Sequence, residues 1–169
     1  MKITMVVFAI LLTTYYSGYG QSTDATLHWL NDVNEVQALS KSTGKPIFAF
    51  FTGSDWCAWC KKLQADVFAK PEFKSWASEE VVLLELDFPA RKTLPENLVK
   101  QNQAMKNFFK ISGFPTVWLF CLNKDQTKEN NFIISPFGSL GYPKDPVLGQ
   151  EEDKFLELAK AIVADRTCQ

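Results

Sequence analysis

Cys57 and Cys60 stand two residues apart in the stretch Trp56-Cys57-Ala58-Trp59-Cys60-Lys61-Lys62. Thiols at this spacing can carry redox chemistry. One attacks a disulfide as its thiolate, and the other displaces whatever has been captured and closes a small ring. The chemistry calls for a helix that begins at Cys57, because the unpaired N–H groups and positive dipole end of a first turn favour thiolate over thiol. The spacing also fits half of a zinc site. The other half is missing: Cys121 and Cys168 stand singly, and the only histidine, His28, lies well upstream. An inert structural disulfide is the remaining reading, disfavoured because so tight a loop gains little from restricting the unfolded chain.

The neighbouring elements suit a redox pair. Pro46 leads into Ile47-Phe48-Ala49-Phe50-Phe51, an apolar run expected of a strand covered on both faces. Residues 61–69 read as a helix that Pro71 brings to an end. Upstream, Leu27, Leu30, Val33, Val36 and Leu39 recur at three-residue steps and predict an amphipathic helix over 24–41, capped by Thr23 or Asp24 and ended by Gly44. His28 falls on that helix with nothing nearby to complete a site. Downstream come a short helix from Pro71, a strand over 81–88 and a loop to Leu94. A helix over 96–110 follows, opened by Pro95, then a strand over 116–122. A polar loop over 123–131, a return strand over 132–135, a Gly/Pro-rich connector over 138–149 and a last helix over 150–164 complete the pattern. This order predicts a mixed sheet with helices on both faces.

The chain carries 18 Lys and Arg against 19 Asp and Glu, a net charge of −1. That balance gives no signature of nucleic acid or of an anionic membrane surface. At the N-terminus, Lys2 precedes an apolar run from Ile3 to Leu12 broken only by Thr4, and Gly18 and Gly20 follow. This reads as a cleavable export signal over 1–20, its apolar run short for a bilayer-spanning helix, with a single domain over 21–169. An uncleaved anchor is the alternative. Outside the cytoplasm disulfides persist, so an exported C-x-x-C must be re-reduced by a dedicated donor or act as an oxidant. Cys121 is read as a small buried hydrophobe and Cys168 as a thiol on a mobile terminus, both unpaired. A Cys121–Cys168 staple is the alternative.

Taken together, Trp56-Cys57-x-x-Cys60-Lys61 and Gly113-Phe114-Pro115-Thr116 resemble the thioredoxin superfamily. The fuller stretch from Phe51 to Leu63, with its W-C-x-W-C-K-K-L core, is similar to exported bacterial thioredoxin-like proteins, and the resemblance covers about 27–163. It implies an α/β fold, a thioredoxin-like α/β/α three-layer sandwich with a mixed central sheet. It also implies a cis Pro115 lying against the cysteine pair, a Phe114 whose backbone groups receive an extended substrate segment, and a Trp56 that shields Cys57. Trp59 either contacts substrate or simply covers the disulfide. The chain departs from thioredoxins on the strand 47–51, which holds only Ile, Phe and Ala where they bury an aspartate, and the next strand lacks their lysine. Cys60 is left to lose its proton to water or to a peripheral acid such as Glu85, itself read as a solvated strand-end charge, and slower resolution than in thioredoxin is expected.

The expected activity is that of an exported thiol–disulfide oxidoreductase that reduces protein disulfides. Cys57 and Cys60 are the catalytic pair, Trp56, Trp59, Phe114 and Pro115 bind substrate, and neither cofactor nor metal is needed. The expected partners are protein disulfide or thiol substrates and a membrane or periplasmic redox donor, with no nucleic acid. The alternative is a non-catalytic binding module with a static disulfide.

Overall fold

The structure, a computed structural model, describes residues 26–125, 132–144 and 147–168. The expected export signal over 1–20 and the expected caps Thr23 and Asp24 lie outside the described residues. The central strand β1 (Ile47–Thr52) pairs in parallel with β2 (Val82–Asp87) and antiparallel with β3 (Thr116–Lys124), and β3 pairs antiparallel with β4 (Phe132–Leu140). The sheet order is therefore β2-β1-β3-β4.

Every residue of β1 is buried, and its alternation sorts two cores. Phe48 and Phe50 face a cluster that includes Cys57, Cys60, Leu63, Phe68, Phe73 and Phe155. Apart from Cys57, which caps α2, these residues belong to α2 (Ala58–Leu63), its π-helical continuation Gln64–Phe68, α3 (Pro71–Glu80) and α5 (Glu151–Val163). Ile47, Ala49 and Phe51 face the opposite cluster, with Val33 and Val36 of α1 (Val33–Thr43) and Met105 of α4 (Glu96–Phe108). Three layers result, as the resemblance implies. Phe68 sits at the centre of the first cluster, with ring centroids 5.0 Å from Phe50, 4.7 Å from Phe73 and 5.8 Å from Phe155.

Two element boundaries differ most from the sequence reading. The first helix begins at Val33, because the Asp32 carboxylate accepts from the Asn34 N–H at 2.7 Å and caps the helix there. Residues before it run beside β2: the Leu30 N–H donates to the Leu83 carbonyl at 3.0 Å, and the Leu30 carbonyl accepts from Glu85 at 2.8 Å. Pairing the exposed edge of β2 outweighs a three-residue apolar repeat that both conformations can satisfy. The return strand β4 runs on to Leu140 rather than stopping at Ser135, because Pro136 lies opposite Phe120 at a bulge on an edge strand, where its missing N–H costs no ladder bond.

The reading of Cys121 and Cys168 as unpaired thiols is corrected. They form a disulfide across 47 residues, with Cα atoms 5.4 Å apart. The Cys168 N–H donates to the Gly44 carbonyl at 2.8 Å, which lays the C-terminal segment along the turn between α1 and β1 and delivers its sulfur to β3.

Candidate active site

The ends of all four strands meet at the candidate site. Thr52 of β1 lies opposite Asp87 of β2, Phe51 lies opposite Thr116 of β3, and Val117 lies opposite Leu140 of β4. From Thr52 the chain turns at Gly53, whose carbonyl accepts the N–H groups of Trp56 at 3.1 Å and Cys57 at 2.8 Å. That turn returns Cys57 to the sheet as the N-cap of α2.

Cys57 and Cys60 form a disulfide, with Cα atoms 5.3 Å apart. The Cys57 Sγ also accepts the Cys60 N–H at 3.1 Å, so a first-turn amide points at the sulfur as the spacing requires. Cys57 is 5% exposed and Cys60 is fully buried. The outer sulfur is therefore the one an incoming group can reach. The Phe114–Pro115 bond is cis and immediately precedes β3. A Cβ at Gly141 would meet the Pro115 carbonyl at an ordinary contact distance of 3.8 Å, so the chain just past β4 lies beside the proline loop.

Aromatic side chains flank the pair. Trp59 is 57% exposed and packs edge-on against Tyr142, with centroids 5.1 Å apart. The Trp56 indole lies over Gly53, where a Cβ would collide with it. Its Nε1–H donates to the Phe88 carbonyl at 2.8 Å, and its ring meets Phe114 edge-on at 5.8 Å. Phe88 in turn lies against Phe114 at 5.2 Å. Trp56 thus meets Phe114 of the proline loop, and Trp59 meets Tyr142 just past the end of β4.

Two polar constellations here were not legible in the sequence. Lys62 meets the Asp66 carboxylate at 2.6 Å, and the Tyr142 hydroxyl donates to the same oxygen at 2.6 Å. The hydrogen bond from Lys62, then that from Tyr142, holds Asp66 below the usual carboxylate range. Lys62 is raised, chiefly by its bond to Asp66, so its charge is paired along the helix. The four-residue spacing of Lys62 and Asp66 is a readable helical pair, whereas Tyr142 enters only because β4 extends to Leu140. Asp55 is the second case. Its carboxylate accepts the N–H groups of Ala90 at 2.9 Å, Arg91 at 2.7 Å and Lys92 at 3.2 Å. The Ala90 bond foremost keeps its pKa below the ordinary value.

Glu85 is not a solvated strand-end charge. It lies inside β2 opposite Phe50, in step with Val81 and Leu83 of the cluster that holds Cys57 and Cys60. Desolvation foremost, then the charge of Asp87, pushes its carboxyl up, with Lys92 opposing. The buried hydroxyl of Thr52, on β1, has no hydrogen-bond partner among the described residues.

Comparison with known proteins agrees with this architecture. The profile of the family described as thioredoxin-like domain matches residues 33–128. Over 91 residues the chain is 42% identical to the disulfide bond reductase DsbH of Chlamydia pneumoniae, a match covering 54% of each protein. It is 29% identical over 114 residues to the thioredoxin-related protein DsbJ of the same organism, covering 68% of this chain and 32% of that protein. The chain therefore spans about half the length, or less, of these curated relatives. A solved DsbH oxidoreductase superposes with a TM-score of 0.65 at 30% identity, covering 84% of this chain and 88% of the other. A thioredoxin from Thermus thermophilus superposes at 0.55 with 15% identity over 82% of this chain and 88% of that one, a likeness of fold alone. With the matched segment running from α1 past the cysteine pair and through β3, the chain belongs to the thioredoxin-like family.

Proposed function

We propose that this protein is an exported thiol–disulfide oxidoreductase that reduces disulfides in other exported polypeptides. The observation that carries the reading is the Cys57–Cys60 disulfide at the start of α2, its outer sulfur receiving a first-turn amide. In the reduced protein the same amide favours Cys57 as thiolate. Cys57 attacks one sulfur of the substrate disulfide; a Cys57–substrate bond forms and the other substrate sulfur leaves, taking a proton. Cys60 then loses its proton and attacks the Cys57 Sγ. The intramolecular disulfide forms, the second substrate sulfur leaves, and two electrons have passed to the substrate. Glu85, with its raised proton affinity on the same sheet face, suits the acceptance of the Cys60 proton. A membrane or periplasmic dithiol donor restores the reduced pair.

Phe114 and cis Pro115 form the edge on which an extended substrate segment lies, and Trp56 and Trp59 flank it. The name of the DsbH relative supports the reductive direction. Export is supported by the apolar segment before Gly18, read as a signal removed from 1–20 to leave 21–169. The Cys121–Cys168 disulfide adds to this, because such bonds persist in oxidising compartments.

The test is Cys60→Ser. Without the resolving sulfur, the substrate remains on Cys57 as a mixed disulfide that non-reducing electrophoresis displays and mass spectrometry identifies. A variant that captures no polypeptide would contradict the reading and favour a binding module with a static disulfide. A redox titration of the wild-type pair fixes the direction, since a strongly oxidising potential contradicts a reductase.

A further inference from the structure

Between the loop 88–95 and α4 lies a cavity of about 320 Å³, walled by Phe88, Pro89, Leu94 and Val99 and bordered by Lys92 and Gln103. Its depth comes from the shape of that loop, which contains no helix or strand of its own before Glu96. The loop is held from the active-site turn. Asp55 gathers three successive backbone N–H groups, Ala90, Arg91 and Lys92. Ser54 donates from its N–H and its hydroxyl to the Asp87 carboxylate at 2.8 and 2.6 Å, and Trp56 donates to the Phe88 carbonyl. Residues 54–56, directly before Cys57, thus fix residues 87–92.

We propose that Asp55 is a positioning residue that shapes this loop into a side-chain subsite, and that the subsite takes a bulky apolar side chain beside the reactive disulfide of a polypeptide substrate. The proposal rests on the reductase reading given above. Phe88 provides the continuity: its ring lines the cavity and also lies against Phe114, along which the substrate segment would run. The lining provides the chemistry. Four walls are apolar, and the one carboxylate in the wall, Asp87, is already engaged by Ser54, so no free anion invites a cationic side chain. The volume is at the lower end of ligand pockets, ~300 Å³ and upward, and suits one large side chain rather than a separate small molecule.

The experiment uses the full folded protein under turnover with an excess dithiol reductant, its uncatalysed background subtracted, and two synthetic peptide disulfides that differ only in a Trp or a Ser next to the reactive cystine. 2-Hydroxyethyl disulfide serves as a substrate with no side chain to place. Burying a large apolar side chain predicts a preference for the Trp peptide of roughly tenfold or more in kcat/KM. Val99→Trp, on a half-exposed helix position, fills the cavity and is expected to abolish that preference. Asp55→Asn releases part of the loop and is expected to reduce it, with the loss falling on KM for the Trp peptide rather than on kcat. Equal kcat/KM for the two peptides with the wild-type protein overturns the subsite. An undiminished preference in both variants likewise overturns it. Failure of the wild-type protein to reduce even 2-hydroxyethyl disulfide would instead overturn the reductase reading on which the subsite rests.

Discussion

The Cys121–Cys168 bond makes a quantitative prediction about stability. Its partners are 47 residues apart, against 3 for Cys57–Cys60. In the chain-entropy treatment a loop of the longer length removes about 14 cal/mol/K from the unfolded ensemble, or about 4 kcal/mol at 25 °C, whereas the short loop contributes under ~2 kcal/mol. A domain of this size has a total stability of about 5–15 kcal/mol, and each kcal/mol moves Tm by about 2–4 °C. Replacing both Cys121 and Cys168 with alanine, leaving the other pair intact, should therefore lower Tm by roughly 10 °C. The urea midpoint should fall in step. The slope of the unfolding curve should rise slightly, because the unfolded chain is no longer cross-linked and exposes more surface. Alanine is chosen over serine because both positions are 5% exposed and a hydroxyl there would add a desolvation cost of its own. Equilibrium urea unfolding with alkylation mapping, to show that Cys57–Cys60 remains closed, measures the effect. A loss below ~1 kcal/mol would show that the bond contributes little and that the packed core holds the C-terminal segment without it.

Three further outcomes are expected. Gly53→Ala places a methyl against the Trp56 ring; because Trp56 is 49% exposed, the indole should swing outward, break its bond to Phe88 and red-shift tryptophan emission, with a stability loss of about 1–3 kcal/mol. Glu85→Gln should raise the urea midpoint at neutral pH and change it little below the ordinary Glu pKa of 4.5, since a folded pKa above the unfolded one means that this group loses stability as pH rises through the folded value; equal shifts at both pH values would refute the burial argument. The Tyr142 phenol, raised chiefly by desolvation and then by its bond to Asp66, should stay protonated above its ordinary value of 10.0, so a Tyr142-sensitive Trp59 emission should hold constant through that pH and change only beyond it.

What could be read from the sequence was local, and what could not depended on how distant segments meet. The run from Ile47 to Phe51 declares a doubly covered strand, and the two-residue spacing of Cys57 and Cys60 needs only one helical turn to bring the sulfurs together. Pro115 before an apolar run marks a strand start from its missing N–H. The start of α1 is not legible because an apolar residue at every third position suits a helix and is compatible with a strand-edge segment, and only the Asp32 carboxylate meeting the Asn34 N–H fixes the boundary. Tyr142 carries no signal of its own. It reaches Trp59 and Asp66 because β4 continues past a bulge at Pro136, and that depends on pairing with β3. Asp55 looks like an ordinary turn residue until the loop it gathers, 35 to 37 positions along, has folded back onto it.

The two disulfides occupy opposite ends of the same strands, and this arrangement bears on how a redox cycle can run without loosening the fold. Phe51 pairs with Thr116 at the end carrying Cys57, Cys60 and Pro115, whereas Ile47 pairs with Phe120 at the end carrying Cys121, Cys168 and Gly44. Opening Cys57–Cys60 releases a constraint within one helical turn. The N–H bonds of Trp56 and Cys57 to Gly53 and the packing of Leu63 and Phe68 remain to hold α2 in place. Opening Cys121–Cys168 would free the C-terminal segment from β3 and forfeit the larger share of cross-link stabilisation. The bond expected to cycle is thus the one that contributes less to stability. The stabilising bond lies at the far end of β1 and β3, separated from the cycling pair by strands that are buried along most of their length.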